Sequence, residues 1–452
     1  MKRRDFLVTA GAVATGAASG LILPSRMQAA AKADHTIHIG PVSFEIAPGK
    51  TIKTIGYNGT VPGPLLRMKE GKPVTIDVFN DTDNPEYVHW HGMFISTKAD
   101  GSEEEGSPVV PPHGHLRVNF TPKPAGTRWY HTHAMAMDDV TKGAYTGQFG
   151  FLYVEPKSEP GHYDQEVFLA ARHWEPKIIH RPDPNNDWNL DYASATLGTH
   201  SLGHGEPIRV KKGQRVLFRL LNANATRDVN LAFAGHKFKV IALDGNPVPN
   251  PAEVDVLQIV VAERVDAIVE MNNPGVWILG GPRDQDRAMG LGIVVEYEGE
   301  KGEPQWKNPP NTPFDYTLFG NPAAANPQPV EDTFDLHFHM LPDEGKPFNK
   351  WVINEKSWPN VDPLMVKAGR RYRLIMHSGH EDSHPLHLHR HSFEIVKVGD
   401  KGTSGVFKDV VRVQRDNLTV VEFVADNPGA SLLHCHMQQH MDYGFKTIVK
   451  YA

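Results

Sequence analysis

One cysteine in 452 residues, Cys435, leaves no partner for an internal disulfide. An excess of one charge is missing too. With 47 Lys and Arg against 53 Asp and Glu, the formal net charge is -6, which excludes nucleic-acid binding driven by phosphate contacts. Beyond the N-terminal stretch no apolar run is long enough to span a bilayer. No long amphipathic helix is evident, and the 13 Met form no rich run. Turn residues and imidazoles are abundant instead: 40 Gly, 36 Pro and 25 His. The first two point to a turn-rich, mostly β protein. The length predicts two or three domains and permits a sizeable core.

Arg3-Arg4-Asp5-Phe6-Leu7 opens an apolar, Ala- and Gly-rich stretch that runs to about Leu23, with small residues from Ala29 to Ala33. It reads as an export signal over residues 1–33, and its paired arginines resemble a twin-arginine signal. As a membrane anchor the stretch is short and diluted by Gly, Ala and Thr. The mature chain is therefore expected in the periplasm or secreted, without an anchor. Disulfides form there, so a lone cysteine is either a packing residue or a chemical one.

A threefold repeat runs through the chain. Leu66-Arg67-Met68-Lys69-Glu70-Gly71, Ile208-Arg209-Val210-Lys211-Lys212-Gly213 and Leu364-Met365-Val366-Lys367-Ala368-Gly369 each precede an apolar strand, and Asn80, Asn222 and Ser378 follow at one common distance. A second marker recurs in step: Ala125-Gly126-Thr127-Arg128-Trp129-Tyr130, Pro274-Gly275-Val276-Trp277-Ile278-Leu279 and Pro428-Gly429-Ala430-Ser431-Leu432-Leu433. Two markers in register predict three related Greek-key β-sandwich domains. The Pro-rich stretch 303–330 reads as a linker between the second and third.

The histidines fall into this repeat unevenly. After the first marker come His89-Trp90-His91 and His387-Leu388-His389, but Leu231-Ala232-Phe233 in the middle repeat. After the second come His131-Thr132-His133 and His434-Cys435-His436, against Gly280-Gly281-Pro282. A His-x-His strand places both rings on one face. If the first and third domains meet face to face, four pairs converge on one pocket. Eight imidazoles with no converging carboxylates can hold about three metal ions. Cys435 points the other way by the same parity; so does His384, and His440 follows closely. One thiolate with two imidazoles is the trigonal set of blue copper. Copper there would accept single electrons, and the thiolate is covalently continuous with His434 and His436.

These motifs, His89-Trp90-His91-Gly92, His131-Thr132-His133, His384-Pro385-Leu386-His387-Leu388-His389 and His434-Cys435-His436 with His440, together with the turn Val61-Pro62-Gly63-Pro64, resemble those of the three-domain multicopper oxidases. That family includes laccases, bilirubin oxidases and metal-oxidising enzymes. The resemblance spans essentially the whole mature chain. It implies an all-β fold of three cupredoxin-like Greek-key sandwiches at 34–157, 158–302 and 331–452, the middle one without ligands, and a trinuclear cluster between the first and third. It implies four copper ions: type 1 on His384, Cys435 and His440; type 2 on His89 and His387; a type 3 pair on His91, His131, His133, His389, His434 and His436. Where relatives often carry an axial Met, this chain has Phe445, which cannot coordinate, and that raises the expected reduction potential. Met441 lies off the axial position and reads as packing. Asp100 resembles a carboxylate that assists proton transfer beside the cluster; otherwise it is the turn residue of an Asp-Gly pair. Glu103, Glu104 and Glu105 read as a solvated acidic loop. Gln438 stands where some ferrous-oxidising relatives carry Glu, and argues against that role.

The electron donor is less legible. In the family it approaches the exposed edge of the residue matching His384. Glu381 and Asp382 precede that residue and would attract a cationic donor, although a solvated loop is the plainer reading. Met135 and Met137 read as local packing, His337 and His339 as an ordinary strand feature, and His113 and His115 as solvent-facing loop residues. The leading expectation is a laccase-like enzyme that oxidises phenols or aromatic amines and reduces O2 to water. The second is a periplasmic metallo-oxidase of Cu(I) or Fe(II). The third is a copper-free scaffold, against which the complete ligand set argues. One chain holds both ligand-bearing domains, so a monomer suffices.

Overall fold

Alternation of apolar and polar residues builds the strands. In Val74–Asn80, Val74, Ile76, Val78 and Asn80 are buried while Thr75, Asp77 and Phe79 are half-buried. The computed structural model describes residues 32–158, 162–180, 188–310, 312, 314–342, 348–379 and 383–452. The export signal, but for its last residues, and the pair Glu381 and Asp382 lie outside the described residues. Among those described, the strands form six sheets grouped as three sandwiches.

In the first sandwich the sheet Lys50–Tyr57, His35–Ala47, Val74–Asn80, His115–Phe120 packs on the sheet Gly63–Lys69, Phe149–Glu155, Gly126–Thr132, Val88–His91. Ile37, Ile76, Val78, Trp90, Tyr130 and Leu152 fill the space between them. His35–Ile39 runs parallel to Ile76–Asn80, which is the long crossover of a Greek key. The second and third sandwiches repeat this crossover, pairing Gln165–Ala171 with Val216–Asn222 and Asp332–Phe338 with Tyr372–Ser378.

The repeat expected from the sequence is therefore a repeat of topology. Val88–His91, Val229–Phe233 and His384–Leu388 hold equivalent places, as do Gly126–Thr132, Val276–Gly280 and Ser431–Cys435. The recurring Asn has a physical reason. Buried Asn80 donates through Nδ2 to the Asn84 and Val110 carbonyls, and Asn222 does the same to those of Arg227 and Ile259. Each latches the loop that follows its strand. In the stretch read as a linker, Phe314, Tyr316 and Phe319 are buried. His337 and His339 alternate with buried Leu336 and Phe338 on Val330–Leu341, His337 exposed and His339 half-buried, as an ordinary strand feature would. No helix among the described residues is long and apolar enough to cross a membrane.

The first and second sandwiches meet backbone to backbone. Gly126 (φ 119°) and Gly245 (φ 72°) face each other so closely that a Cβ on Gly126 would stand 1.9 Å from the Gly245 carbonyl oxygen. Neither backbone has a flexible end to move away. Gly126→Ala should destabilise the protein by about 2 kcal/mol or more. Gly71→Ala, with open space around it, should cost only the left-handed strain of about 1 kcal/mol. Thermal unfolding of the two variants side by side checks the difference.

Candidate metal centre

Strand parity positions the ligand candidates. Val88–His91 pairs with Gly126–Thr132 so that His89 lies opposite His131. In the third sandwich His384–Leu388 pairs with Ser431–Cys435, placing His387 opposite His434 and Leu386 opposite Cys435. The two ligand-bearing sheets meet across a buried seam. All eight histidines of the four pairs are buried there, and rings from the two sandwiches touch: His91 stacks on His387 at 3.7 Å and His89 on His389 at 3.9 Å between centroids.

The tautomers follow from the acceptors behind the rings. His89 Nδ1 donates to the Asp100 carbonyl (2.9 Å), His387 Nδ1 to the Asp409 carbonyl (2.7 Å), His131 Nδ1 to the Thr132 carbonyl (2.8 Å) and His434 Nδ1 to the Cys435 carbonyl (2.9 Å). His389 Nδ1 donates to Asp100 Oδ2 at 2.8 Å. A carbonyl or carboxylate oxygen only accepts, so each of these rings keeps its proton on Nδ1 and a lone pair on Nε2. His91 is reversed: its Nε2 donates to Asp409 Oδ1 at 3.0 Å, leaving the lone pair on Nδ1. The inward nitrogens of His89, His91, His131 and His387 have no hydrogen-bond partner, nor does His436 Nε2 or either nitrogen of His133. The Nε2 atoms of His389 and His434 face each other at 3.1 Å, lone pair to lone pair. Buried polar atoms left in this way are costly. Cations among them remove the cost, and neutral imidazole suits copper. Ligand atoms of His89, His387 and His389, of His89, His91 and His131, and of His133, His389 and His434 lie within 4.8 Å of one another in each set.

On the opposite face of its strand, Cys435 Sγ lies 3.4 Å from His440 Nδ1 and 4.0 Å from His384 Nδ1, and all three are buried. Phe445 is buried with its ring 5.1 Å from that of His384 and 4.8 Å from Phe338, so carbon rather than sulfur faces this trio. Met441 is buried as well. Gln438 is spent on structure. Its Oε1 accepts from the Ala144 amide and its Nε2 donates to Asp442, whose Oδ2 holds the amides of Ala136 and Met137. The loop after His133 is thereby clamped to the helix Gln438–Asp442, which carries His440.

Several expectations need correction. Carboxylates do converge on the cluster, but behind the rings: Asp100 and Asp409 orient them through the outer nitrogens, and Glu105 Oε1 lies 3.4 Å from His389 Nδ1. Glu104 and Glu105 are not solvated. Glu104 pairs with buried Lys446 at 2.5 Å, and Glu105 accepts from the Leu432 amide at 2.7 Å. Burial, then the charge of Asp100, pushes Glu105 well above the usual carboxylate range. Met135 and Met137 are more exposed than packing residues would be, at 47% and 39%, although Met135 Sδ accepts from Lys446 Nζ at 3.7 Å. His113 and His115 do face solvent, but His115 starts the strand His115–Phe120. Asp409 and Arg264 were missed altogether. The only signal for Asp409 in the sequence is a charged Lys408-Asp409 step before the apolar Val410-Val411.

Comparisons with known proteins identify the family. Family models described as multicopper oxidase match residues 38–159, 187–299 and 326–452. The chain is 30% identical to multicopper oxidase MmcO of Mycobacterium tuberculosis over 89% of its own length and 84% of that protein. It is 26% identical to laccase-2 of Trametes villosa, covering 91% and 90%. In fold it is similar to a Campylobacter jejuni multicopper oxidase described as a metallo-oxidase, with a TM-score of 0.71 at 19% identity, covering 92% of this chain and 91% of that one. The chain belongs to the multicopper oxidase family, a class of copper-dependent oxidoreductases.

Burial and neighbouring imidazoles hold His91, His131, His387, His389, His434 and His436 well below the usual imidazole range, and burial draws His133 down to about 3. Unfolding restores them to about 6.5. The unfolded chain thus binds more protons below that pH, so this stability is present above it and lost as pH falls. The copper-free protein should lose thermal stability steeply from about pH 7 to pH 5, and added copper should raise its unfolding midpoint. Calorimetry with and without copper across that range measures both.

Proposed function

We propose that this protein is a laccase-like oxidase that takes single electrons from phenols or aromatic amines and passes four to O2, forming water. The observation that carries this reading is Phe445: a buried carbon ring, with no donor atom, lies against His384 and His440. A thiolate site without an axial donor is tuned to a high potential, which suits phenolic donors.

Four copper ions are assigned: type 1 to His384, Cys435 and His440; type 2 to His89 and His387; the type 3 pair to His91, His131, His133, His389, His434 and His436. Bound there, copper supplies one-electron redox chemistry at the thiolate and a multi-electron centre at the cluster. The chain supplies the rest. Cys435 is covalently joined to His434 and His436, so a few bonds link the donor side to the O2 side. Asp100, held against His389 and His89, is assigned to proton delivery, with Glu105 beside it. The three domains are assigned to 34–157, 158–302 and 331–452, with 303–330 between the second and third. Residues 1–33 are assigned to twin-arginine export, placing a monomeric enzyme in the periplasm or outside the cell.

A second reading, a metallo-oxidase of Cu(I) or Fe(II), is favoured by one observation. Met135 and Met137 are partly exposed close after His133, and thioethers suit Cu(I).

O2 uptake by the copper-loaded protein with a phenol, then with Cu(I) and Fe(II) under matched conditions, separates the two. Much higher kcat/KM for the phenol is expected; the reverse order would replace the laccase reading with the metallo-oxidase one. Cys435→Ser should abolish the blue absorption and donor oxidation while circular dichroism stays unchanged. A variant that remains blue would refute the thiolate assignment.

A further inference from the structure

The middle sandwich supplies none of the cluster histidines described above, yet it reaches the cluster. Arg264 begins the strand Arg264–Glu270 of that sandwich and is fully buried. Its guanidinium grips Asp409 of the third sandwich with both forks, Nη1 to Oδ1 at 2.7 Å and Nη2 to Oδ2 at 2.6 Å. Its other donors go to carbonyl oxygens: Nε to Thr127 (3.3 Å), Nη1 to Ala262 (3.0 Å) and Nη2 to Asp244 (3.1 Å). All five N–H groups are therefore used, and the guanidinium has one orientation open to it. Asp409 is held from behind as well, because its own amide and that of Val410 donate to Asp244 Oδ2 at 3.2 and 3.1 Å.

Asp409 in turn faces the cluster. Its Oδ1 accepts from His91 Nε2 at 3.0 Å and its carbonyl from His387 Nδ1 at 2.7 Å. His91 is the ring whose tautomer is opposite to that of His89, His131, His387, His389 and His434, and Asp409 is the acceptor that makes it so. The glycine after His91 records the contact: a Cβ on Gly92 would stand 2.6 Å from Asp409 Oδ2 and 2.9 Å from Arg264 Nη2. The ion pair lies directly against the backbone beside His91.

We propose that Arg264 is a positioning residue for the trinuclear cluster: from the middle sandwich it fixes Asp409, and through Asp409 it makes His91 present Nδ1 rather than Nε2. This rests on the oxidase reading above. A wild-type protein that takes up no copper would end that reading, whereas the proposal is decided by variants of a wild type that does.

The test compares copper-loaded wild type, Arg264→Met and Arg264→Lys. In Arg264→Met the near-ultraviolet band and the magnetic coupling of the copper pair should weaken, and kcat should fall about 10- to 100-fold, the usual effect of losing a ligand's orienting partner. The blue thiolate band should keep its full intensity, because the Arg264–Asp409 pair bears on the cluster side. Arg264→Lys keeps the charge but not the fork, so it should fall between the two. Removing one partner of a buried pair is strongly destabilising; if Arg264→Met does not fold, Arg264→Lys decides alone, with a perturbed cluster spectrum beside an intact blue band as the expected result. A wild-type cluster spectrum in the variant that folds would overturn the proposal. So would loss of the cluster and blue signals in equal proportion, which marks a purely structural role.

Discussion

Neutral imidazoles buried in one seam with their lone pairs turned inward create a conflict that the polypeptide alone does not resolve. Two of them, on His389 and His434, face each other at 3.1 Å. Burial forbids relief by protonation, since a charged imidazole in that environment costs more than a neutral one. The rest of the architecture serves to hold this arrangement ready for cations. Carbonyls of Asp100, Thr132, Asp409 and Cys435 pin the outer nitrogens, and Trp129 stacks on His131 at 4.1 Å. Each contact removes a rotation that would let a ring escape.

The same need accounts for the charge buried between the sandwiches. Arg128, Asp244, Arg264 and Asp409 have no solvent exposure, and residues of all three sandwiches contribute. Ion pairs of this kind are poor sources of stability, because desolvation offsets much of their attraction. Their directional bonds serve instead to fix one relative placement of three bodies. Thr127 and Arg219 both bond Asp266, tying the first sandwich to the second in the same manner. The middle sandwich, which supplies none of the eight paired histidines, is thus the brace on which the other two are aligned.

Cys435 shows how little sequence separates two chemical environments. It stands between His434 and His436, yet its sulfur meets His440 on the other face of the strand, where Trp351 and Phe445 pack against the His440 ring. One peptide step in either direction crosses from the buried sulfur to a polar imidazole cluster. Period-two alternation keeps the two environments apart and also keeps them connected.

Much of this was legible in the residues alone. The threefold repeat, the mostly β character, the four His-x-His pairs and the opposite parity of Cys435 depend on local period and spacing, which a strand carries wherever it lies. The partners behind the rings were not legible. Asp409 sits between two strands of the third sandwich and Arg264 at a strand start of the second, and beyond the charged Lys408-Asp409 step nothing in their neighbourhood marks them. Glu104 and Glu105 read as solvated because three acidic residues in a row usually are; the third sandwich covers them instead, through Lys446 and Leu432. Met135 and Met137 read as packed and are exposed, because the clamp from Asp442 holds the backbone of their loop and leaves the side chains outside. Sequence determined which side chains share a strand face, since that follows from backbone geometry over a few residues. Only tertiary structure decided which charges and carbonyls stand behind them, since that depends on how separate sandwiches dock.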